Sequence, residues 1–145
     1  MPRSDEMAKR YWQHFEHGAD VGIRGHGPTL EVAFEEAARA LTAVIADPDA
    51  VAPSVAVTMT CTAPDYEILL VDWLNELVYE MDARKMVFGA FDVHIDGHRL
   101  TGTALGERID QVRHEPTVEV KGATFTAVKV GRENEGWVAQ CVVDV

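Results

Sequence analysis

The sequence is short of cysteine, of positive charge and of long apolar runs. Only two cysteines occur in 145 residues, Cys61 and Cys141, with no CxxC pair to suggest a metal or redox motif. Each stands in an alternating, strand-like stretch and reads as a buried free thiol rather than half of a disulfide. Lys and Arg total 13 against 24 Asp and Glu, a formal net charge of −11. A direct grip on nucleic acid needs cations that neutralise phosphates, so none is expected here. The acidic balance suits a basic partner or a cation instead. No apolar stretch approaches the roughly 20 residues of a membrane-spanning helix. "MPRSDEMAKR", residues 1–10, has no apolar core and is not a secretory signal. It is expected to be a flexible tail, and the cytoplasm is the default compartment. Catalytic signatures are missing as well. There is no Gly-x-Ser-x-Gly, no Cys–His pairing stands out, and "GIRGHG" lacks the order and frame of a phosphate loop.

What remains is the make-up of a soluble globular chain, 47% hydrophobic and 26% charged, with no linker or repeat. Residues 11–145 are expected to form one domain. "YWQHFEH" reads as a strand, and "VGIRGHG" as a second short strand or its irregular continuation. Pro28 and Thr29 open a helix, with threonine as a good N-cap. Leu30, Phe34, Ala37, Leu41, Val44 and Ile45 recur at helical spacing, and Glu31, Glu35, Glu36 and Arg39 mark its wet side. "VAVTMTCT" alternates as a half-buried strand with Val55, Val57, Met59 and Cys61 on one face. Pro64 and Asp65 start a second helix with a wide apolar stripe from Tyr66 to Met81. "FDVHIDGHRLTGTAL" is a hairpin turning at Asp96–Gly97. "TVEVKGATFTAVKV" and "GWVAQCVVDV" form a further pair joined by the polar "GRENEG". The expected class is α+β, with two helices packed on a largely antiparallel or mixed β-sheet.

Two aspartates stand out. Asp20 lies in "HFEHGADVGI", in a glycine-flanked bend between apolar neighbours. Asp144 is the penultimate residue of a strand that ends the chain in "CVVDV". Alternation puts Trp137, Ala139, Cys141, Val143 and Val145 on one face, and Val138, Gln140, Val142 and Asp144 on the other. A carboxylate beside a chain-terminal carboxylate is costly unless a cation or donors compensate it, and hard divalent cations take such oxygens. A solvated strand end accounts for the same pattern, so both readings stand. His14 and His17 fall on opposite faces of one strand and are expected to pack or hydrogen-bond rather than bind metal. His26, His94, His98 and His114 read as surface or turn residues. Asp72, Asn75 and Glu76 read as surface or partner-facing.

"HFEHGADVGIRGHGPTLEVAFEEAARAL", "LLVDWLNELVYEMD", "VEVKGATFTAVKV" and the terminal "VVDV", in that order, resemble the archeases. The resemblance runs from about Tyr11 to Val145, with one departure: Gly18 replaces the family's usual threonine. It implies a protein cofactor that activates an RtcB-type RNA ligase, promoting its guanylylation and multiple turnover in tRNA splicing or RNA repair, with no complete active site of its own. It also implies a divalent metal, usually calcium, with magnesium or manganese as alternatives. The metal would be held by Asp20, Asp144 and the terminal carboxylate of Val145, and Lys121 would be a function-critical cation. A metal-dependent hydrolase using the same carboxylates, or a chaperone-like modulator, are the competing readings. If the resemblance holds, Asp20 and Asp144 should meet, with carboxylates within about 10 Å, the reach of a shared ion.

Overall fold

The computed structural model describes residues 9–145. The chain begins with a hairpin, β1 (Tyr11–His17) and β2 (Asp20–Gly27). Their two-residue turn starts at Gly18 with φ +62°, the positive φ that tight hairpin turns require at this place. Helix α1 (Leu30–Ile45) follows, its first turn capped by the Thr29 hydroxyl accepting from the Val32 amide. A 3-10 turn at Pro48–Ala50 leads to β3 (Val55–Thr62). Helix α2 (Tyr66–Arg84) is capped by Asp65, whose carboxylate accepts from the Ile68 amide, and stops where Lys85 turns left-handed. Strands β4 (Met86–Asp96) and β5 (Arg99–Arg108) make the expected hairpin. It starts five residues earlier than the sequence pattern showed, because a bulge at Gly89 interrupts the alternation. The last strands are β6 (Gly122–Ala123), β7 (Lys129–Glu133) and β8 (Gly136–Asp144).

The class is α+β in one domain, but the strands divide into two antiparallel sheets rather than one. The first has the order β1-β2-β8-β6, with β7 also paired to β8; the second is β3-β5-β4. They do not merge because α1 lies between β4 and the first sheet and takes the place of a strand partner. The Glu35 carboxylate accepts from the Val93 amide at 2.9 Å, and the Thr42 hydroxyl donates to the Phe88 carbonyl at 2.6 Å. These bonds satisfy the β4 edge that would otherwise be left bare.

That arrangement corrects the expected wet face of α1. Glu35 and Glu36 are buried, Glu36 completely. Arg10 donates to Glu36 through Nε at 3.1 Å and Nη2 at 2.8 Å, and Nη2 also reaches Glu35 at 3.0 Å. Arg39 completes the network from the same helix. Burial holds Glu35 above its ordinary carboxylate value, against the Val93 amide and Arg10. Of the expected tail, residues 1–8 lie outside the described residues, and Arg10 is tied to α1.

The core gathers Ile23, Phe34, Leu41, Leu74, Phe88 and Leu100, all fully buried. Each such side chain contributes roughly 1.5–3 kcal/mol relative to exposure. Two glycines set the layer spacing. A Cβ at Gly25 would lie 2.2 Å from the Ala37 nitrogen and 2.3 Å from the Ala33 oxygen, so glycine lets α1 press onto β2. Gly102 leaves room for Trp73, whose indole also donates to the Phe34 carbonyl at 3.2 Å. In β3, Val57 and Met59 are buried and Cys61 half-buried, whereas Val55 at the strand start is exposed. Both cysteines are free thiols, and burial pushes Cys61 up to about 11 and Cys141 up to about 12.

The "TVEVKGATFTAVKV" stretch differs most from expectation. Only Gly122–Ala123 and Lys129–Glu133 are strand. The chain bends between them, with Ala127 at φ +52°. The edge of β8 is therefore met by β6 at one end and by β7 at the other. Being central, β8 is buried on both faces, and its two-sided pattern gives way only at Trp137, Gln140 and Asp144.

Candidate metal site at the end of the first sheet

The site grows from strand register. Strand β2 pairs with β8 from Val21↔Val143 to Gly27↔Trp137. One step beyond Val21 and Val143, Asp20 and Asp144 face each other. Both lie on the sheet face that carries Arg24 and Gln140, away from α1, at the about 4.5–5.5 Å backbone spacing of antiparallel neighbours. The Val145 amide donates to Asp20 Oδ1 at 3.3 Å, across 125 positions of sequence. On the other side of β8, Gly122 pairs with Asp144, and the Lys121 amide donates to the Asp144 carbonyl at 2.9 Å. Asp20, Lys121, Asp144 and Val145 thus occupy one corner. Asp20 and Val145 are half-buried there, and Asp144 and Lys121 are exposed.

Local sequence explains each placement. The two-residue turn at Gly18–Ala19 puts Asp20 at the first position of β2, with its carboxylate beside the chain end. Lys121 is held by its neighbours. The Asn75 side chain on α2 accepts from the Ala123 amide at 2.8 Å and donates to the Ala123 carbonyl at 3.1 Å, acting as a partner for the outer edge of β6. The Thr124 hydroxyl donates to the Val142 carbonyl at 2.8 Å on the inner edge. Asn75 was expected at a surface and is instead the clamp on the segment that carries Lys121. Its signal in the sequence is an amide side chain bordering the apolar stripe of α2. Asp72 is exposed and Glu76 half-buried.

Among the described residues, no salt bridge involves Asp20, Asp144 or Lys121. The anions and the cation of this corner are therefore available to something else. No group of three or more His, Cys, Asp and Glu side chains is placed to hold a metal among the described residues. The oxygen-bearing side chains that the register brings together here are the carboxylates of Asp20 and Asp144. An all-oxygen set of this kind fits a hard divalent cation and not a thiolate- or imidazole-seeking one.

The histidines sort differently. His14 Nε2 donates to the Ala40 carbonyl at 2.8 Å. His26 stacks on Tyr11 with centroids 4.2 Å apart and hydrogen-bonds Gln13 at 2.6 Å. His17, expected to pack or hydrogen-bond, is instead exposed and lies opposite Asp20 in the hairpin register. His94 and His98 are exposed, as expected. His114 lies in a turn, one of the two places expected for it, but is buried there rather than at the surface. Its Nδ1 accepts from the Asp110 amide at 2.8 Å, so Nε2 carries the proton toward Glu107 at 3.2 Å. Glu107 also accepts from Arg113 and from the Ala52 amide. Those hydrogen bonds, Arg113 first, bring its carboxyl down to about 2.

Comparison with known proteins places this corner in context. Residues 12–145 match the archease protein family (MTH1598/TM1083). A Pyrococcus furiosus protein named archease is 44% identical over 141 residues, covering 94% of this chain and 99% of the relative. The archease of Pyrococcus abyssi is 40% identical over 139 residues, covering 92% and 98%. The solution structure of Methanobacterium thermoautotrophicum protein 1598 superposes with a TM-score of 0.81 at 35% identity, covering 92% of this chain and 98% of that one. The crystal structure of a Thermotoga maritima archease, described as a possible chaperone, shares the fold at a TM-score of 0.56 and 14% identity. By sequence and by fold, the chain belongs to the archease family.

Proposed function

We propose that this protein is an activator of an RtcB-type RNA ligase, acting through the Asp20–Lys121–Asp144–Val145 corner. The observation that carries the proposal is the strand register that brings Asp20, Asp144 and Val145 together with the Lys121 main chain bonded to Asp144, while the Asp20, Asp144 and Lys121 side chains have no ion-pair partner among the described residues. Asp20, Asp144 and the Val145 carboxylate would hold a divalent cation, calcium, magnesium or manganese. Bound there, such an ion supplies positive charge and fixes the geometry of the strand ends. Lys121 points a compact ammonium away from the core. Its role in this account is to place positive charge where the triphosphate reacts as the ligase's histidine is guanylylated.

The chain's own groups favour assistance over independent catalysis. Both thiols are held protonated by burial, which removes a thiolate nucleophile. His114, a histidine beside the Glu107 carboxylate, is buried with both ring nitrogens engaged. The charge of −11 argues that the RNA is held by the ligase, whose phosphate-binding surface must be basic. The test is an assay of the purified protein alone on phosphoesters, then with ligase, GTP and Mn²⁺. Stimulated guanylylation with no hydrolysis alone is expected. Hydrolysis by the protein alone that disappears in Asp144→Asn would replace this account with the hydrolase reading.

A further inference from the structure

A segment with the composition of a strand lies here without a strand partner. Thr117, Val118, Val120 and the intervening Glu119 have the β-branched alternation of a pleated strand. Its two ends are fastened. The Thr117 amide donates to the Ile45 carbonyl at 3.0 Å, and the Lys121 amide to Asp144. Between these points, Val118, Glu119 and Val120 make no backbone hydrogen bond to any described residue. The segment forms one wall of a groove of about 750 Å³ whose other wall is α2, through Val78, Tyr79 and Asp82. Val118 is 43% exposed and Tyr79 63% exposed, two of the few large apolar side chains left open to solvent. The groove runs directly to Lys121.

An extended segment with unmet amides and carbonyls beside an apolar groove is what strand addition by a partner uses: main-chain bonds give affinity and alternate side chains fill the groove. We infer that Val118–Val120 is a docking edge on which the partner ligase lays an extended, β-branched segment, between this edge and α2. The inference rests on the reading of the protein as a ligase activator and supplies the contact that would hold the ligase beside Lys121. Two features select this occupant. The groove ends at the corner assigned to the ligase's reaction, so one partner can cover both. In addition, although the groove itself is lined evenly by Asp82 and Glu119 against Lys85 and Lys121, the chain's net charge of −11 attracts the basic surface an RNA-joining enzyme must carry.

The experiment measures ligase binding by titration calorimetry for wild type, for the double variant Val118→Asp/Tyr79→Glu, and for Val118→Pro. All the substituted side chains are exposed, and the Val118 amide makes no backbone bond that proline would break. Melting temperatures should therefore stay near wild type. The groove variants should lose about tenfold or more in affinity, as charges or a missing donor at an interface centre do. Mn²⁺ binding to the protein alone should be unchanged. In the wild-type complex, amide exchange at Val118–Val120 should slow. If wild type binds the ligase and both variants bind equally, or exchange at these amides does not change, the docking edge is wrong and the activator reading survives. If wild type neither binds nor stimulates the ligase, the activator reading fails and this inference falls with it.

Discussion

Arg10 shows how one residue can hold a whole helix in place. Glu36 is fully buried, and its carboxylate is met by Arg10 from the start of the described chain and by Arg39 from its own helix. A buried acceptor that loses its donor costs about 1–3 kcal/mol. Arg10→Ala should destabilise the protein by that amount in urea titration, even though Arg10 is itself half exposed. Glu107 gives a second residue-scale prediction, with the sign set by its low folded pKa. A carboxylate held down stabilises the fold above its unfolded value of 4.5, and that contribution disappears as pH falls toward about 2. Glu107→Gln should flatten the acid limb of the stability curve in this window and leave the shape near neutrality unchanged. At the functional corner the expectation is opposite in kind. Lys121→Ala should change stability by less than about 0.5 kcal/mol, as an exposed side chain away from packing does, while removing most ligase stimulation. Lys121→Arg should rescue only part of it, because a planar guanidinium does not replace an ammonium. Thermal melts and guanylylation assays on the same preparations separate the two effects.

At the scale of elements, two glycines carry opposite lessons. Gly25→Ala would drive a methyl group into the backbone of α1 at Ala33 and Ala37. Backbone cannot step aside as a side chain can, so the loss should reach or pass the roughly 3 kcal/mol upper end of ordinary overpacking. Gly18 has open space around it but φ +62°. Gly18→Thr should cost about 1–3 kcal/mol through backbone strain in this turn. Chemical denaturation measures both. These elements also show what the sequence could and could not reveal. Both helices were readable from caps and spacing, since Thr29 and Asp65 act locally. The β4–β5 hairpin was readable from Gly97. The split into two sheets was not, because it depends on Glu35 and Thr42 reaching across 58 and 46 positions to the edge of β4. A glutamate that caps a distant strand looks the same in sequence as one in water. The Thr117–Val120 stretch, which has no strand partner among the described residues, was misread as strand for a related reason. Alternation reports that a segment suits a sheet, not that a partner strand is present.

The corner itself was legible only in part. Pattern alone left Asp144 as either a ligand or a solvated strand end, and nothing local linked it to Asp20. The resemblance to archeases named the four residues; the strand register Val21↔Val143 with the Val145–Asp20 hydrogen bond brings Asp20, Asp144 and Val145 together, and the Lys121 amide reaches Asp144 through its carbonyl. For Asn75 the sequence showed an amide bordering the apolar stripe of α2 but not what it clamps, since its partner is a main chain 48 positions away.

Taken as a whole molecule, the protein places its two-sheet core behind one corner whose charges have no ion-pair partner among the described residues. If the Val145 carboxylate takes part, adding residues after Val145 converts it to an amide and removes one negative ligand. The melting temperature should hardly move, since polar residues past a strand end cost little. Mn²⁺ affinity and ligase stimulation should both fall, and equal behaviour of native and extended protein would remove Val145 from the site. The most direct test of the central claim is guanylylation of an RtcB-type ligase, with GTP and Mn²⁺, in the presence of wild type, Lys121→Ala or Asp144→Asn. Wild type should raise the rate and restore repeated turnover. Each variant, folded as judged by its melt, should lose about 100-fold of that stimulation, the scale of removing one group that stabilises transition-state charge. Equal stimulation by all three proteins would contradict the account, because the corner would then play no part in activation.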